Sequence, residues 1–183
     1  MNHQSFSLQP FPGTGKFPDV KIAGNIARNG NQLTIQYSLL GDIKEIAITL
    51  PSATPSRKHE LWQNTCFEFF IGIKNSPRYW EFNLSPSGDW NIYRFDDYRQ
   101  GMEEDTAFST LPFIVKQQAE SVELTLDLDL EKIITQEQAL EVAITTVIKN
   151  QDGDVTYWAL THRGAEADFH LRDSFILELP VAN

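Results

Sequence analysis

Residues 61–99, LWQNTCFEFFIGIKNSPRYWEFNLSPSGDWNIYRFDDYR, constrain the fold of this chain more than any other stretch. Apolar and polar side chains alternate there with a period of two, and the stretch holds three of the four tryptophans. Phe67, Phe69, Ile71 and Ile73 share one parity, continued by Trp80, Phe82 and Leu84 and then by Tyr93 and Phe95. Glu68, Phe70, Glu81, Asn83, Ser85, Trp90, Ile92 and Arg94 fall on the other. A strand sends successive side chains to opposite faces, so the pattern predicts neighbouring strands with one core face. The opposite face combines carboxylates, an amide, a guanidinium and an indole. It is either a solvated sheet surface or a platform for a ligand.

Turn positions predict the register. A turn at Lys74-Asn75-Ser76-Pro77 sets Ile71 against Trp80, Phe69 against Phe82 and Phe67 against Leu84. On the other face Phe70 then meets Glu81 and Glu68 meets Asn83. A slip of one residue would press Phe69 against a carboxylate or an amide, so the parity selects the pairing. A turn at Pro86-Ser87-Gly88-Asp89, with Ser85 opposite Trp90, predicts Asn83 against Ile92 and Glu81 against Arg94. Glu68, Glu81, Asn83, Arg94 and Trp90 would then gather on one face. A sugar ring calls for that mixture, because its hydroxyls take polar partners and its C–H face lies on an aromatic ring. The plainer alternative is a cross-strand ion pair worth a few tenths to about 1 kcal/mol, beside a partly covered surface indole.

The remaining chain reads as short strands joined by turns. Residues 1–18, with three prolines and two glycines, predict an irregular lead-in. Residues 20–39 predict a hairpin around Asn29-Gly30-Asn31. Further strands are predicted over 43–50, 108–116, 122–130, 140–148, 155–160 and 175–179. Loops are expected over 51–60, 96–107 and through His170, with a short helical turn over 131–138. Many short strands with almost no helix predict an all-β, antiparallel β-sandwich with Greek-key or jelly-roll-like connections, in one domain over residues 1–183.

Charge and cysteine content narrow the function classes. The formal net charge is −10, which argues against nucleic acid or an anionic membrane as partner, since both need clustered Lys and Arg. Cys66 is the only cysteine, so neither an intrachain disulfide nor a Cys-rich zinc site can form. The N-terminal stretch lacks a basic region followed by an apolar run, and no apolar stretch approaches roughly 18 residues, so the expected location is the cytoplasm.

The runs TCFEFF, EFNLSPSGDWNIYRFDDYRQGM, YWALTH and DFH resemble the DOMON-like families. The likeness is to bacterial DOMON-like domains related to type 9 carbohydrate-binding modules, over residues 61–102 and 157–179. It implies a β-sandwich that holds a sugar or a haem. By the match of segments it carries over Glu68, Glu81, Asn83, Ser85, Trp90, Tyr93 and Arg99 as pocket or pocket-wall residues. Type 9 modules cradle a terminal sugar between two aromatic rings, which here would be Trp90 with Trp62 or Trp158.

Other chemistries can be drawn from the same residues. A haem b reading takes Met102 with His162 or His170 as axial ligands; the two histidines otherwise read as hydrogen-bonded loop or pocket residues around Asp168. The spacing of His162, Asp168 and His170 matches no zinc signature; Asp96-Asp97 with the nearby carboxylates could bind calcium, without EF-hand-like order, and reads otherwise as a solvated acidic loop. Glu68 and Glu81 would be diagonal neighbours roughly 7–8 Å apart, a separation seen in inverting glycosidases. An Arg94 opposite Glu81 would hold that carboxyl low, which is wrong for a general acid. A triad drawn from Ser85 or Ser87, His162 and Asp168 has no nucleophile-elbow motif. The expectation is a non-catalytic module for a small carbohydrate-like ligand. Trp90 would stack on it, Glu68, Glu81, Asn83 and Arg99 would bind its hydroxyls, and Arg94 would order Glu81. A haem domain is the first alternative and a protein–protein interaction domain the second.

Overall fold

The computed structural model describes residues 2–13 and 16–181. Thirteen strands run in order: β1 (Asn2–Ser7), β2 (Gln9–Pro10), β3 (Val20–Asn29), β4 (Gln32–Gly41), β5 (Cys66–Ile73), β6 (Tyr79–Leu84) and β7 (Trp90–Phe95), then β8 (Glu103–Glu104), β9 (Phe113–Gln117), β10 (Ser121–Asp129), β11 (Leu140–Lys149), β12 (Val155–Ala159) and β13 (Leu177–Leu179). Helical structure among the described residues is limited to 3-10 turns at Ile43–Glu45, Leu61–Gln63 and Arg172–Ser174. One sheet has the order β1-β3-β4-β10-β9; the other has β2-β12-β11-β5-β6-β7-β8, with β13 also pairing with β11. All pairings between these strands are antiparallel. The fold is the expected antiparallel β-sandwich.

The two sheets differ in how they meet water. In β4 and β10 buried residues alternate with exposed or half-exposed ones, so one face packs and the other is solvated. In the larger sheet β5, β6 and β7 are buried almost throughout, on both parities. Their inner side chains, including Phe67, Phe69, Ile71, Phe82, Leu84 and Ile92, join Ile22, Ile35, Leu124 and Leu126 of the other sheet in the main core. Their outer side chains Phe70, Tyr79, Tyr93 and Phe95 form a second apolar cluster with Ala143 of β11 and Phe175 of the loop before β13, against which Trp62 and Phe169 pack. Segments outside the sheet thus roof its outer face, and the site lies under that roof.

The predicted β5–β6 register is the observed one: Ile71 faces Trp80, Phe69 faces Phe82, Phe67 faces Leu84, Phe70 faces Glu81 and Glu68 faces Asn83. The β3–β4 hairpin also forms where expected, with Asn29 opposite Gln32 and Gly30 at φ +60 in the turn. The β6–β7 register differs by one residue. The Ser85 N–H donates to Asp89 O (2.9 Å) and the Gly88 N–H to Ser85 O (2.9 Å), closing a three-residue loop in place of a four-residue one. Gly88 sits at φ +91, a left-handed conformation that suits glycine, as such loops require. Ser87 Oγ donates to Asp89 Oδ2 (2.8 Å), and Asp89 Oδ1 accepts from the Ser56 N–H (3.0 Å), which pins the short loop. Leu84 therefore faces Trp90, Phe82 faces Ile92, Trp80 faces Arg94 and Glu81 faces Tyr93. Trp90 and Ile92 move into the core, while Asn91, Tyr93 and Phe95 take the outer face.

Smaller corrections have local causes. The lead-in is not irregular throughout, because β1 pairs along β3 and β2 pairs with β12. Residues 43–50 do not form a strand. Asp42 Oδ1 accepts from the Lys44 N–H (3.3 Å), the chain turns through Ile43–Glu45, and Ile43 and Ile46 both reach the core from the turn. The short helical turn expected over 131–138 is confined to one turn, with the Ile134 N–H on Leu130 O (2.8 Å), and does not extend into a helix. The strand expected from residue 108 begins at Phe113, since Phe108 drops into the core from the preceding loop.

Phe69 is fully buried and its ring stacks on Phe82 with centroids 4.4 Å apart. Phe69→Ala leaves a cavity in the middle of the sandwich and should cost about 3–5 kcal/mol. Urea unfolding should show this as a lower midpoint at an unchanged m-value.

Candidate ligand-binding site

The outer face of the larger sheet holds a pocket of about 420 Å³. Its floor is built by the strand register. Glu68 and Phe70 project from β5 and Glu81 from β6, because all three share the parity that faces away from the core. Tyr157 of β12 stands on the same face, opposite Val147, which also lines the pocket. Trp62, from the 3-10 turn before β5, and Phe169, from the loop before β13, complete an aromatic wall. Arg99, Met102 and His170 line the remaining side.

Both carboxylates are withdrawn from water: Glu68 is 2% exposed and Glu81 4%. Asn83 Nδ2 donates to Glu81 Oε1 (3.1 Å), and Thr145 Oγ1 lies 3.5 Å from Glu68 Oε2. Glu68 Oε1 is buried without a hydrogen-bond partner from the protein. Burial, reinforced by the charge of Glu81, pushes the Glu68 carboxyl well above the usual range. Burial pushes Glu81 up to about 7, against the opposing pull of Asn83 and Arg99.

A hydrogen-bond chain sets the state of His170. The Arg99 N–H donates to Tyr79 Oη (3.2 Å), and Tyr79 Oη lies 2.9 Å from His170 Nδ1. We assign the Tyr79 proton to the bond with Nδ1, which leaves the imidazole proton on Nε2, 3.7 Å from Glu81 Oε2. Burial, with Arg99 nearby, holds the imidazole down to about 4, so His170 is neutral at pH 7. The Arg99 guanidinium is itself neutralised by Asp168 (2.8 Å), which also accepts from the His170 N–H (3.0 Å) and from Tyr98 Oη. Asp168 thereby ties the loop after β7 to the loop before β13.

The sequence-predicted residues divide. Glu68, Glu81, Arg99, Trp62, Met102 and His170 meet at the pocket. Asn83 and Tyr93 support it. Asn83 holds Glu81, while Tyr93 faces Glu81 across the sheet and packs edge-on to Trp62 at 5.7 Å between centroids. Trp90 is not on the platform. It is buried in the core, with the Arg57 guanidinium 4.3 Å from its ring centroid. Arg94 does not face Glu81; it faces Trp80 across the sheet and pairs with Glu103 (2.7 Å). Both corrections follow from the three-residue loop. The expectation that Arg94 holds Glu81 low is reversed by the same shift. Trp158 also belongs to the core, since it has the opposite parity to Tyr157. Ser85 caps the tight loop, its Oγ accepting from the Ser87 N–H (3.2 Å) and lying 2.8 Å from Ser87 Oγ. His162 lies elsewhere, with Nε2 2.8 Å from Gln9 O. Tyr157 and Phe169 were not named as site residues, although the runs YWALTH and DFH contain them; their further signal was parity beside Trp158 and adjacency to His170.

The donor set fits haem poorly. Met102 is at the mouth, 47% exposed, and His170 is a wall residue whose Nδ1 is engaged by Tyr79 and whose Nε2 faces Glu81. The floor beneath carries two carboxylates where a haem plane needs apolar contact. For calcium, Asp96 is taken by Arg78 (3.2 Å) and Asp97 accepts from the Tyr98 N–H (2.7 Å). Among the described residues no three His, Cys, Asp or Glu side chains converge as a metal-holding group. Cys66 lies on the outer parity but is fully buried, and burial pushes its thiol well up, which leaves it a packing role.

Glu81 generates a pH prediction. A carboxyl whose folded value is raised binds more protons folded than unfolded, so it destabilises progressively as pH rises from about 4.5 through about 7. His170, held low, acts with the opposite sign over an overlapping range, and its effect cancels when two proteins that both carry it are compared. Glu81→Gln should therefore match the parent in stability near pH 4.5 and exceed it by about 1–3 kcal/mol at pH 8, measured by urea unfolding at both pH values.

No protein-family profile matches the chain, and no curated protein matches it at a significant level. Solved structures do match. A candidate carbohydrate-binding protein from Bacteroides uniformis superimposes with a TM-score of 0.65 at 13% identity, covering 93% of this chain and 84% of that one. A family 9 carbohydrate-binding module from Caldicellulosiruptor kristjanssonii, solved with cellotriose, superimposes with a TM-score of 0.50 at 11% identity, covering 85% of this chain and 71% of that one. At these identities the likeness establishes the β-sandwich fold.

Proposed function

We propose that this chain is a non-catalytic binding module that holds a small carbohydrate in the pocket over Glu68 and Glu81. The observation that carries this reading is an acceptor-rich floor inside an aromatic wall. Glu68 offers an oxygen with no partner in the protein, and Glu81 sits beside it. Trp62, Tyr157 and Phe169 supply flat apolar surface around them. Sugar hydroxyls would donate to the carboxyl oxygens while a C–H face rests on Trp62 or Tyr157, the role earlier expected of Trp90. The volume is within the range of small-ligand sites, which favours a small molecule over a flat protein–protein surface. The fold is shared with proteins described as carbohydrate-binding, one of them solved with cellotriose, and this supports the reading. The motif likeness to DOMON-like domains is compatible with it. A hydrolytic role is disfavoured because Glu68 and Glu81 rise from one sheet face, whereas glycosidase carboxylates flank the scissile bond.

A glycan array identifies the ligand, and calorimetry on the best hit tests the site. Trp62→Ala and Tyr157→Ala should each weaken binding by at least roughly tenfold without unfolding the protein. Haemin added to the same protein should give no shifted Soret band. A folded protein that binds no glycan, or one whose glycan affinity is indifferent to both substitutions, would contradict the reading.

A further inference from the structure

We propose that the pocket selects a sugar bearing a protonated amine, with the ammonium seated between Glu68 and Glu81. This rests on the carbohydrate reading and names the ligand class more narrowly.

The protein gives the two floor carboxyls no ion-pairing cation, so a bound cation would take the place of the protons that burial makes them keep. Glu68 and Glu81 line the floor. The cation that lines the pocket with them, Arg99, is committed to Asp168 at 2.8 Å. His170 approaches Glu81 no closer than 3.7 Å and is a single neutral donor. Lys and Arg side chains in the surrounding segments are engaged elsewhere: Lys149 with Gln63 and Asn64, Arg57 with Asn91, and Arg172 with Glu141. Among the described residues no Lys or Arg forms an ion pair with either carboxyl, and Arg99 acts on Glu81 only at a distance.

One acceptor on the pocket-lining Glu68 is left unfilled by the protein. Glu68 is nearly fully buried, yet its Oε1 has no partner. A buried polar atom without a partner is costly, and natural structures keep few of them unless a bound group completes them. A neutral hydroxyl offers one donor. An ammonium offers three donors on one compact centre, and its charge lets carboxyls ionise that burial otherwise keeps protonated. The aromatic wall adds to the same preference, since Trp, Tyr and Phe faces attract cations through their quadrupoles. An acetylated amine lacks both the charge and the extra donors.

The test is an array presenting each monosaccharide in hydroxyl, N-acetyl and free-amine forms at pH 6.5, followed by calorimetry on the best matched set. The free-amine form should bind at least roughly tenfold tighter than its neutral counterparts. Glu68→Gln/Glu81→Gln, nearly isosteric with the parent, should weaken the free-amine form far more than the neutral form and so erase that preference. Neutral and amino forms binding equally well would overturn the amine inference and leave the carbohydrate reading standing. Binding of free lysine or tetramethylammonium with no sugar on the array bound would uphold the cation site and overturn the sugar. A folded protein that binds none of these probes would overturn both.

Discussion

The antiparallel pairing of β5 with β6 decides what the rest of the molecule can be. On the inner side it stacks Phe69 on Phe82 and sets Ile71 against Trp80, which centres the core between the sheets. On the outer side the same pairing places Glu68 and Glu81 diagonally across two strands. Core and site are therefore two faces of one register. Because a slip of one residue exchanges every side chain between the faces, it would bury both carboxylates among phenylalanines and carry the core residues outward. The stability of the sandwich and the placement of the pocket cannot be altered separately at this hairpin.

The roof over that outer face gives the carboxylates their chemistry. Strands with both faces covered are uncommon in antiparallel sheets, which often leave one side to water. Here Trp62, Phe169 and Phe175 cover the sheet, and the loop tie through Asp168 closes the side near Arg99. The cover removes water from Glu68 and Glu81 and raises both carboxyls, while the Arg99–Asp168 pair absorbs the nearest positive charge. Two buried acids without a cation reduce stability at neutral pH. Such a cost is typical of binding sites, where a group left unsatisfied by the protein is completed by a ligand.

Sequence patterning revealed this arrangement wherever one parity was clearly apolar. The β5–β6 hairpin was legible because every alternative pairing sets a phenylalanine against a polar group. The β6–β7 hairpin was not, since WNIYRF carries large apolar side chains on both parities: Trp90 and Ile92 on one, Tyr93 and Phe95 on the other. With both faces covered, parity no longer selects a register and the loop length decides it, through Gly88 and the Asp89 side chain. Trp158 and Tyr157 posed the same ambiguity in β12, where the indole went to the core and the phenol to the pocket. Glu68, Glu81, Trp62, Arg99 and His170 were named beforehand, but what joins them is long-range. Tyr79 links His170 to the Arg99 backbone across 91 and 20 positions of sequence, a closure that no local pattern encodes.

The most direct test of this account is a carboxyl-carbon NMR titration of the glutamates in the folded protein. The account predicts one glutamate, lost from the spectrum in Glu81→Gln, that titrates near pH 7, and a second, lost in Glu68→Gln, that stays protonated well above the usual carboxyl range. If both titrate between about 4 and 5, like exposed glutamates, the buried and unneutralised floor does not exist.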